Sequence, residues 1–355
     1  MENVVVIPVV VAKDSPRLGV ADVELRPRTL KDLGLVEADV EEFVRKNVQV
    51  LFPDDDETLL IVGQQARNAA GGRADLVAVD SAGAIVLIEL KRDATDMNAR
   101  KEPFEFQAIR YAANYALIQT PEKLVELLFA PYIERHRAEF AIKELTSHEL
   151  ATRTLGDFLD KNNAKPTFNG WQRIILIASD FDPQTLSACA WLATNKIDIR
   201  CLRVQPCELS GHVLLLVEQV IPPARIQEYF VPVADASGTP KAPTGTGTAT
   251  RQALPKMGQL LDWGLLSAGD LVYIRGHDDK PATILDAKRV QIDGRDVNFN
   301  EWGRSVTGWS AINIYEWAIQ TKTGKTLDTL RREKIEELER GNGAAPEAKI
   351  GLTNG

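Results

Sequence analysis

The chain has 355 residues, of which 44% are hydrophobic and 26% charged, and its formal net charge is −8. This is the balance of an ordinary globular protein, and the length favours two domains. No apolar run reaches the roughly 18 residues of a membrane span. The apolar stretch at 4–12 is interrupted by Pro8 and has no basic region before it, which argues against a signal peptide or membrane anchor.

Cysteine usage and charge bear on the compartment and on possible partners. Cys189, Cys201 and Cys207 are odd in number and lack paired CxxC spacing, which favours buried thiols in a reduced, cytoplasmic protein. Residues 251–355 carry equal numbers of basic and acidic side chains, so the acidic excess lies in the first 250 residues. A nucleic acid partner would therefore need a local basic groove, because phosphate affinity comes from Lys and Arg.

The first part of the chain alternates helical and strand patterns. Val40, Phe43, Val44 and Val48 recur at helical spacing and predict an amphipathic helix over 37–50. The patterns that follow predict strands at 58–65, 73–80 and 84–92, a helix at about 104–117, further helix to 140, a strand at 171–179, a helix at 183–194 and a strand at 197–204. This order predicts an α/β fold in which helices cover both faces of a mixed sheet.

A change in composition divides the chain. Residues 234–250 read ADASGTPKAPTGTGTAT and contain no large apolar side chain, so this stretch cannot bury enough surface to order itself. We predict a first domain over 1–233, a flexible linker over 234–255, a small α+β domain over 256–340 and a disordered tail over 341–355.

The segment at 73–91 reads RADLVAVDSAGAIVLIELK and predicts an antiparallel hairpin. If a three-residue loop ends at Gly83, which can adopt a positive φ, Asp75 lies directly opposite Glu89. Opposed residues have Cβ atoms about 5 Å apart. Lys91 shares the face of Glu89 because side chains alternate along a strand. The pattern therefore brings two carboxylates and an ammonium group to one side of the sheet.

Opposed carboxylates at Asp75 and Glu89 would repel each other, so the pattern predicts a compensating cation. Mg²⁺, or Mn²⁺ in its place, is suitable because it prefers carboxylate oxygens and is usually completed by waters and substrate phosphate. Such an ion lowers the pKa of a bound water, and Lys91 could orient or deprotonate that water and hold a phosphate. The alternative interpretation is that the three residues are polar strand ends.

GGRADLVAVDSAGAIVLIELKRD, followed by FEFQAIRYAANYA, resembles the PD-(D/E)XK nuclease superfamily and within it the NucS-like and RecB-like branches. The resemblance implies a restriction-endonuclease-like core in which Asp75 and Glu89 bind metal and Lys91 is catalytic. Gln107 and Tyr111 match the QxxxY helix of that family, whose i,i+4 spacing turns both side chains toward the site.

The family also places a glutamate on the helix before the sheet. LVEADVEEFVRKN resembles that helix, and Glu41 is our choice for this third metal ligand and catalytic carboxylate, with Glu42 and Glu37 as alternatives. The resemblance covers about 37–115.

A polar stretch, ATDMNARKEP, separates the hairpin from the QxxxY helix and departs from a tight connection. It is interpreted either as a loop over DNA or as a solvated surface loop. In the first case Arg92, Arg100 and Lys101 are candidate phosphate contacts, and Arg73 is a fourth candidate at the start of the hairpin.

The second domain carries four of the six tryptophans, Trp263, Trp302, Trp309 and Trp317. LLDWGLLSAGDLVY, the VTGW turn and GKTLDTLR resemble the RAMA domain of restriction enzymes and adenine methylases, although SVTGWSAINIY departs from the more usual serine-rich and NGW segments. The resemblance implies binding of DNA with a modified base, and aromatic side chains can stack on an extruded base. We predict that Trp302 and Trp309 are exposed for this purpose, whereas most of the tryptophans fill the core.

Together, these resemblances imply a magnesium-dependent DNA endonuclease that the second domain directs to modified or foreign DNA, as in restriction and defence. This step is an analogy with the family. Two alternatives stay open: a repair nuclease that prefers branched or mismatched ends, and a non-cleaving DNA-binding protein on a nuclease scaffold. A homodimer is a further hypothesis, because one site of this kind cuts one strand. No membrane partner is expected.

Overall fold

A computed structural model of the chain describes residues 9–11, 18–20, 26–52, 57–67, 73–91, 103–223 and 254–342. They form two compact units, one ending at Pro223 and the other made largely of residues from 254 onward. Almost all of the predicted linker and tail lie outside the described residues. Within the described ranges, no helix is long and apolar enough to cross a membrane.

The first unit contains a sheet and the helices that surround it. Its strands are β1 (Val9–Val11), β2 (Leu18–Val20), β3 (Arg26–Pro27), β4 (Leu59–Arg67), β5 (Arg73–Asp80), β6 (Ile85–Lys91), β7 (Gln172–Ala178), β8 (Asp198–Leu209) and β9 (His212–Ile221). Its α-helices are α1 (Glu37–Asn47), α2 (Phe104–Tyr115), α3 (Pro121–Leu124), α4 (Ala130–Arg135), α5 (Ser147–Lys161) and α6 (Pro183–Thr194). A π-helical segment (Val125–Phe129) joins α3 to α4, and 3₁₀ turns follow α1 (Val48–Leu51) and α4 (Arg137–Glu139).

The main sheet has seven strands in the order β3-β8-β7-β6-β5-β4, with β9 paired to β8. β7 runs parallel to β6 and β8, and the other pairs are antiparallel. Helix α1 packs on β5 and β6, α2 packs across β5 to β7, and the π-helical segment and α4 pack on β4. The predicted α/β class, a mixed sheet flanked by helices, is confirmed.

The central strands are buried along almost their whole length. Every residue of β6 and all of β5 after Arg73 are buried, which agrees with their near-continuous apolar sequence. On the face toward α2 and α6, Leu176 packs in one cluster with Phe104, Ala108 and Cys189. The three cysteines are buried and free, as the sequence predicts.

The β5–β6 hairpin has the register that its loop predicts. Leu76 pairs with Ile88 and Val79 with Ile85. The loop ends at Gly83, whose φ is +85°. Because side chains alternate along both strands, one further step of this ladder places Asp75 opposite Glu89 on the same face of the sheet.

Asp80 fixes the loop of this hairpin. Its Oδ1 accepts hydrogen bonds from the backbone N–H groups of Ala82 (3.0 Å) and Ala84 (2.8 Å). Its Oδ2 lies 2.9 Å from a guanidinium nitrogen of Arg173 on β7. Both partners of this ion pair are buried, and Arg173 also lies 3.1 Å from Oδ2 of Asp198. The loop geometry, and with it the register, is therefore held from two sides.

The second unit has an antiparallel sheet in the order β13-β12-β11-β10-β14-β15. Its strands are β10 (Leu271–Ile274), β11 (His277–Ile284), β12 (Arg289–Ile292), β13 (Arg295–Asn298), β14 (Ala318–Gln320) and β15 (Lys325–Thr326). Its helices are α7 (Met257–Asp262), α8 (Phe299–Thr307), α9 (Ile314–Trp317) and α10 (Leu327–Asn342). Segregated helices and an antiparallel sheet agree with the predicted α+β organisation.

The predicted exposure of Trp302 and Trp309 is wrong. Trp302 is 0% exposed on the inner face of α8, and Trp309 is 4% exposed. Trp309 packs edge to face against Trp317, with ring centroids 4.8 Å apart. A unit of this size builds its core from its largest apolar side chains, which explains the burial. Trp263 is only half-buried.

We expect Gly83→Ala to destabilise the protein more than Gly211→Ala, the matched control in the β8–β9 turn. Both glycines have a positive φ, +85° and +79°, so both variants should lose on the order of 1 kcal/mol from backbone strain. An added Cβ at Gly83 would also lie 2.8 Å from the carbonyl oxygen of Ala164, whereas nothing lies within 4 Å at Gly211. Denaturant unfolding measures both changes. Equal losses would contradict a close-packed loop.

Candidate active site

Asp75, Glu89 and Lys91 lie together on the sheet face that α2 covers. Their relative exposures are 6%, 0% and 2%, so all three are buried. Their common face follows from the hairpin register and from the two-residue step between Glu89 and Lys91. Charged side chains are rarely buried unless they are paired, so this cluster requires specific partners.

Asp75 is held by two hydrogen-bond donors and one ion-pair partner. Its Oδ2 accepts a hydrogen bond from the backbone N–H of Leu90 (2.8 Å) and lies 3.9 Å from Nζ of Lys91. Its Oδ1 accepts one from Nε2 of Gln65 (3.1 Å). The carboxylate therefore has a fixed orientation between β4 and β6.

Lys91 lies between two carboxylates and an aromatic ring. Its Nζ is 3.5 Å from Oε1 of Glu37 at the start of α1 and donates to the carbonyl oxygen of Leu90. It also lies 5.2 Å from the ring centroid of Phe104, within the range of a cation–π contact. These contacts hold the ammonium group at the edge of the cluster, next to Asp75.

The QxxxY pair of α2 reaches the second carboxylate. Nε2 of Gln107 donates to Oε2 of Glu89 (3.1 Å) and lies 3.4 Å from Oη of Tyr111. Tyr111 Oη accepts a hydrogen bond from the backbone N–H of Arg73 (3.2 Å). The two side chains thus share one helix face, as their spacing predicts, and connect Glu89 to the start of β5.

Of the three candidate glutamates on α1, Glu41 is the one that Gln65 of β4 connects to Asp75. It is 4% exposed and accepts hydrogen bonds from Nε2 of Gln64 (2.8 Å) and from Nε2 of Gln65. Glu42 instead pairs with Arg45 and Lys46 at 2.7 and 2.9 Å. The hydrogen bonds from Arg45 lower the pKa of Glu42 to about 2. This carboxylate is therefore ionised and paired with cations outside the cluster.

The inner face of α1 is therefore partly charged and differs from the predicted apolar stripe. Val44 and Val48 are buried, but Glu41 and Arg45 are buried beside them, and Phe43 is 39% exposed. Arg45 donates hydrogen bonds to Glu139 and Tyr132, which satisfies its buried guanidinium group.

Gln64 and Gln65 are site residues that the sequence patterns did not single out. They follow the apolar run LLIV in β4, and the β4–β5 register shifts between Ile61 and Gly63. Gln65 has a φ of 48°, an unusual left-handed conformation for a residue other than glycine. Its amide nitrogen donates to both Glu41 and Asp75, so it bridges α1 and β5. The sequence signal that could have identified them is the pair of adjacent amide side chains in an otherwise apolar strand.

Burial raises the pKa of Asp75 and of Glu41. For Asp75, the charge of Lys91 and the Leu90 N–H oppose this rise, and Glu37 adds to it. For Glu41, hydrogen bonds from Gln64 and Gln65 oppose it, and the charge of Asp75 adds to it. The two carboxylates therefore repel each other in a desolvated site.

Of the four predicted phosphate contacts, Arg73 is the one that lies within the described residues. Arg73 is exposed at the start of β5. Arg92, Arg100 and Lys101 lie outside the described residues.

The carboxylates of the cluster suit a metal ion that needs few protein ligands. In the part of the chain that the structure describes, no three His, Cys, Asp or Glu side chains converge closely enough to hold a metal ion by themselves. Mg²⁺ commonly uses one or two carboxylates and completes its shell with waters and phosphate oxygens. Asp75 and Glu89 can supply such a pair, and Glu41 contacts Asp75 only through Gln65.

No protein-family model, curated protein or solved structure matches this chain. The functional argument therefore depends on the geometry and chemistry of the cluster.

We expect the substitution Glu41→Gln to become progressively more favourable for stability as pH rises. Because burial raises the pKa of Glu41, the folded state holds this proton more tightly than the unfolded chain, and the charged form costs stability above the ordinary value of 4.5. Denaturant unfolding at several pH values between acid and neutral gives the unfolding free energy of both proteins. The value for the variant minus that for wild type should increase as pH rises.

Glu126→Gln is the matched control for this pH series. Lys123 lowers the pKa of the exposed Glu126, so its charged form is favoured in the folded state and the difference should move against this variant as pH rises. A pH-independent difference for Glu41→Gln would contradict the electrostatic description of the cluster.

Proposed function

We propose that the first unit is a magnesium-dependent endonuclease with a PD-(D/E)XK-type core, which hydrolyses phosphodiester bonds of DNA. The observation that carries this proposal is the burial of Asp75, Glu89 and Lys91 side by side on one face of the sheet. Gln107 and Tyr111 extend the same cluster from α2. These residue types are those that metal-dependent phosphodiester hydrolysis needs.

The charge balance of the cluster supports a bound cation. Glu41, Asp75 and Glu89 are all at most 6% exposed, and Lys91 is the buried ammonium group beside them. Buried carboxylates are costly unless a positive charge or a proton offsets them. A divalent cation coordinated by Asp75 and Glu89 offsets this excess and leaves coordination positions for substrate.

The resident cation and the side chains have separate roles in the proposed reaction. When bound, Mg²⁺ would supply Lewis-acid stabilisation of the phosphate and lower the pKa of a water. Asp75 is oriented for this task by Leu90 and Gln65, and Glu89 by Gln107. Lys91 donates hydrogen bonds to a phosphate oxygen and orients the attacking water. In hydrolysis, the attacking water gives up a proton to solvent as its oxygen bonds to phosphorus. The bond to the leaving sugar oxygen breaks, and that oxygen takes up a proton from solvent.

Plasmid cleavage in Mg²⁺ tests this proposal. We expect Asp75→Asn and Lys91→Met to lower the cleavage rate at least about 100-fold, because each removes a group that acts on the reacting atoms. The matched controls are Asp160→Asn and Lys165→Met, which change an exposed ion pair whose atoms are 2.6 Å apart. The controls should cut like wild type. Cleavage that survives both site substitutions would come from another site or another protein.

Thermal unfolding with and without Mg²⁺ tests the metal site independently of cleavage. We expect Mg²⁺ to raise the Tm of wild type, since a ligand that binds only the folded state stabilises it by about 2.7 kcal/mol at 100 times its Kd. Asp75→Asn should lose this rise, whereas Asp160→Asn, with the exposed carboxylate of the control pair, should keep it. An equal rise in both variants would exclude Asp75 as a ligand.

The role of the second unit stays a prediction. Recognition of modified or foreign DNA rests on the resemblance of this unit, and the two tryptophans chosen for it lie in its core. The homodimer and the restriction role likewise stay predictions. A protein that binds DNA without cleaving it would keep affinity and show no metal-dependent cutting in the plasmid assay.

A further inference from the structure

A cavity of about 470 Å³ lies next to the carboxylate cluster in the first unit. It is bounded by β4 and the start of β5 on one side and by the π-helical segment and α4 on the other. Its size is in the range of small-molecule sites, which is roughly 300–1,000 Å³. The lining residues that matter for its chemistry are Gln64, Gln65, Arg73, Leu127, Leu128 and Arg135.

The side chains that line this cleft carry positive charge, whereas the chain as a whole is negative. Arg73 and Arg135 line it, and none of the described lining residues is a carboxylate, although the chain has a net charge of −8. Arg135 donates one hydrogen bond to the carbonyl oxygen of Gln64 (2.7 Å) and is otherwise exposed at the rim. Guanidinium groups in this position favour a phosphate.

The part of the cleft that the π-helical segment lines is apolar. Leu127 is 49% exposed there, beside the buried Leu128. Both belong to the π-helical segment Val125–Phe129. Single π turns are uncommon in helices and are frequent at functional sites. This part of the cleft therefore offers an apolar surface to a flat group, and Arg73 and Arg135 also line the cleft.

The cleft and the carboxylate cluster share two side chains, because Gln64 lines the cleft and donates a hydrogen bond to Glu41. Gln65 lines the cleft and donates hydrogen bonds to both Glu41 and Asp75. Its left-handed backbone, with φ at 48°, is a conformation that costs energy and is often retained at functional sites. A ligand in the cleft would thus lie directly beside the proposed cutting site.

We propose that this cleft binds one unpaired nucleotide of the DNA substrate, next to the phosphate that is cut. The inference rests on the proposed function and adds the substrate class. The base packs on Leu127 and Leu128, and Arg73 and Arg135 contact the adjoining phosphates. A paired base is stacked on its neighbours and engaged with its partner, so only a base that has left the duplex can enter a cleft of this size. The enzyme therefore prefers a single-stranded flap to a blunt duplex of the same sequence.

The test compares cleavage of a blunt duplex with that of the same duplex carrying a single-stranded flap, using full-length protein in Mg²⁺. Wild type should cut the flapped substrate with a kcat/KM at least about tenfold higher, as expected for one base held on a protein surface. Leu127→Asp and Arg135→Ala should remove most of this preference. Leu127 is already exposed, so its substitution tests the cleft without opening the core.

Leu117→Asp and Arg153→Ala are the matched controls, because both side chains are exposed and neither lines the cleft. Both should retain the full preference. In the Lys91→Met background, binding can be measured by fluorescence anisotropy without cleavage. Adding Leu127→Asp should weaken binding of the flapped DNA by the same factor as the cleavage preference that this substitution removes.

The outcomes separate the two proposals. Equal cutting of both substrates by wild type, or an unchanged preference in Leu127→Asp, would overturn the nucleotide cleft and leave the nuclease intact. Failure of wild type to cut either substrate would overturn the proposed function and the cleft assignment with it.

Discussion

The first unit is organised around an excess of buried negative charge. Glu41, Asp75 and Glu89 are desolvated beside one buried ammonium group, that of Lys91. The chain reduces the cost with neutral donors: side-chain amides of glutamines and a backbone N–H point at the carboxylate oxygens. Hydrogen bonds of this kind stabilise the charged form without cancelling its charge. The fold therefore holds the carboxylates in place and keeps their demand for a cation, which is the condition for a metal-dependent site.

The parts of this site that follow simple periodicities could be predicted from the sequence. A loop ending at Gly83 fixed the hairpin register, and strand alternation then placed Asp75, Glu89 and Lys91 on one face. The i,i+4 spacing of Gln107 and Tyr111 placed both on the same side of α2. These inferences needed only local geometry, which the sequence determines directly.

Other parts depend on packing that no periodicity encodes. Gln65 follows a register shift in β4 and has a left-handed backbone, and strand alternation predicts neither feature. The choice of Glu41 over Glu42 depends on which of two adjacent carboxylates Arg45 attracts. Trp302 and Trp309 were placed at the surface by analogy, whereas the small second unit needs them in its core. Helix α5 and strand β9 were not predicted, although the capping box of Thr146 and Glu149 marks the start of α5.

The hydrogen bonds of the glutamine pair connect the cleft to the carboxylates. Gln64 donates through Nε2 to Glu41, so its Oε1 is the acceptor for Nε2 of His136, 2.8 Å away at the end of α4. Burial lowers the pKa of His136, which favours the neutral ring, and because Oε1 of Gln64 can only accept, Nε2 carries the proton of this hydrogen bond. The helix that forms one wall of the cleft is thereby joined to the same carboxylate that Gln65 joins to Asp75. Any movement of this wall would therefore also move the hydrogen-bond donors of Glu41 and Asp75, which links the cleft physically to the carboxylate cluster.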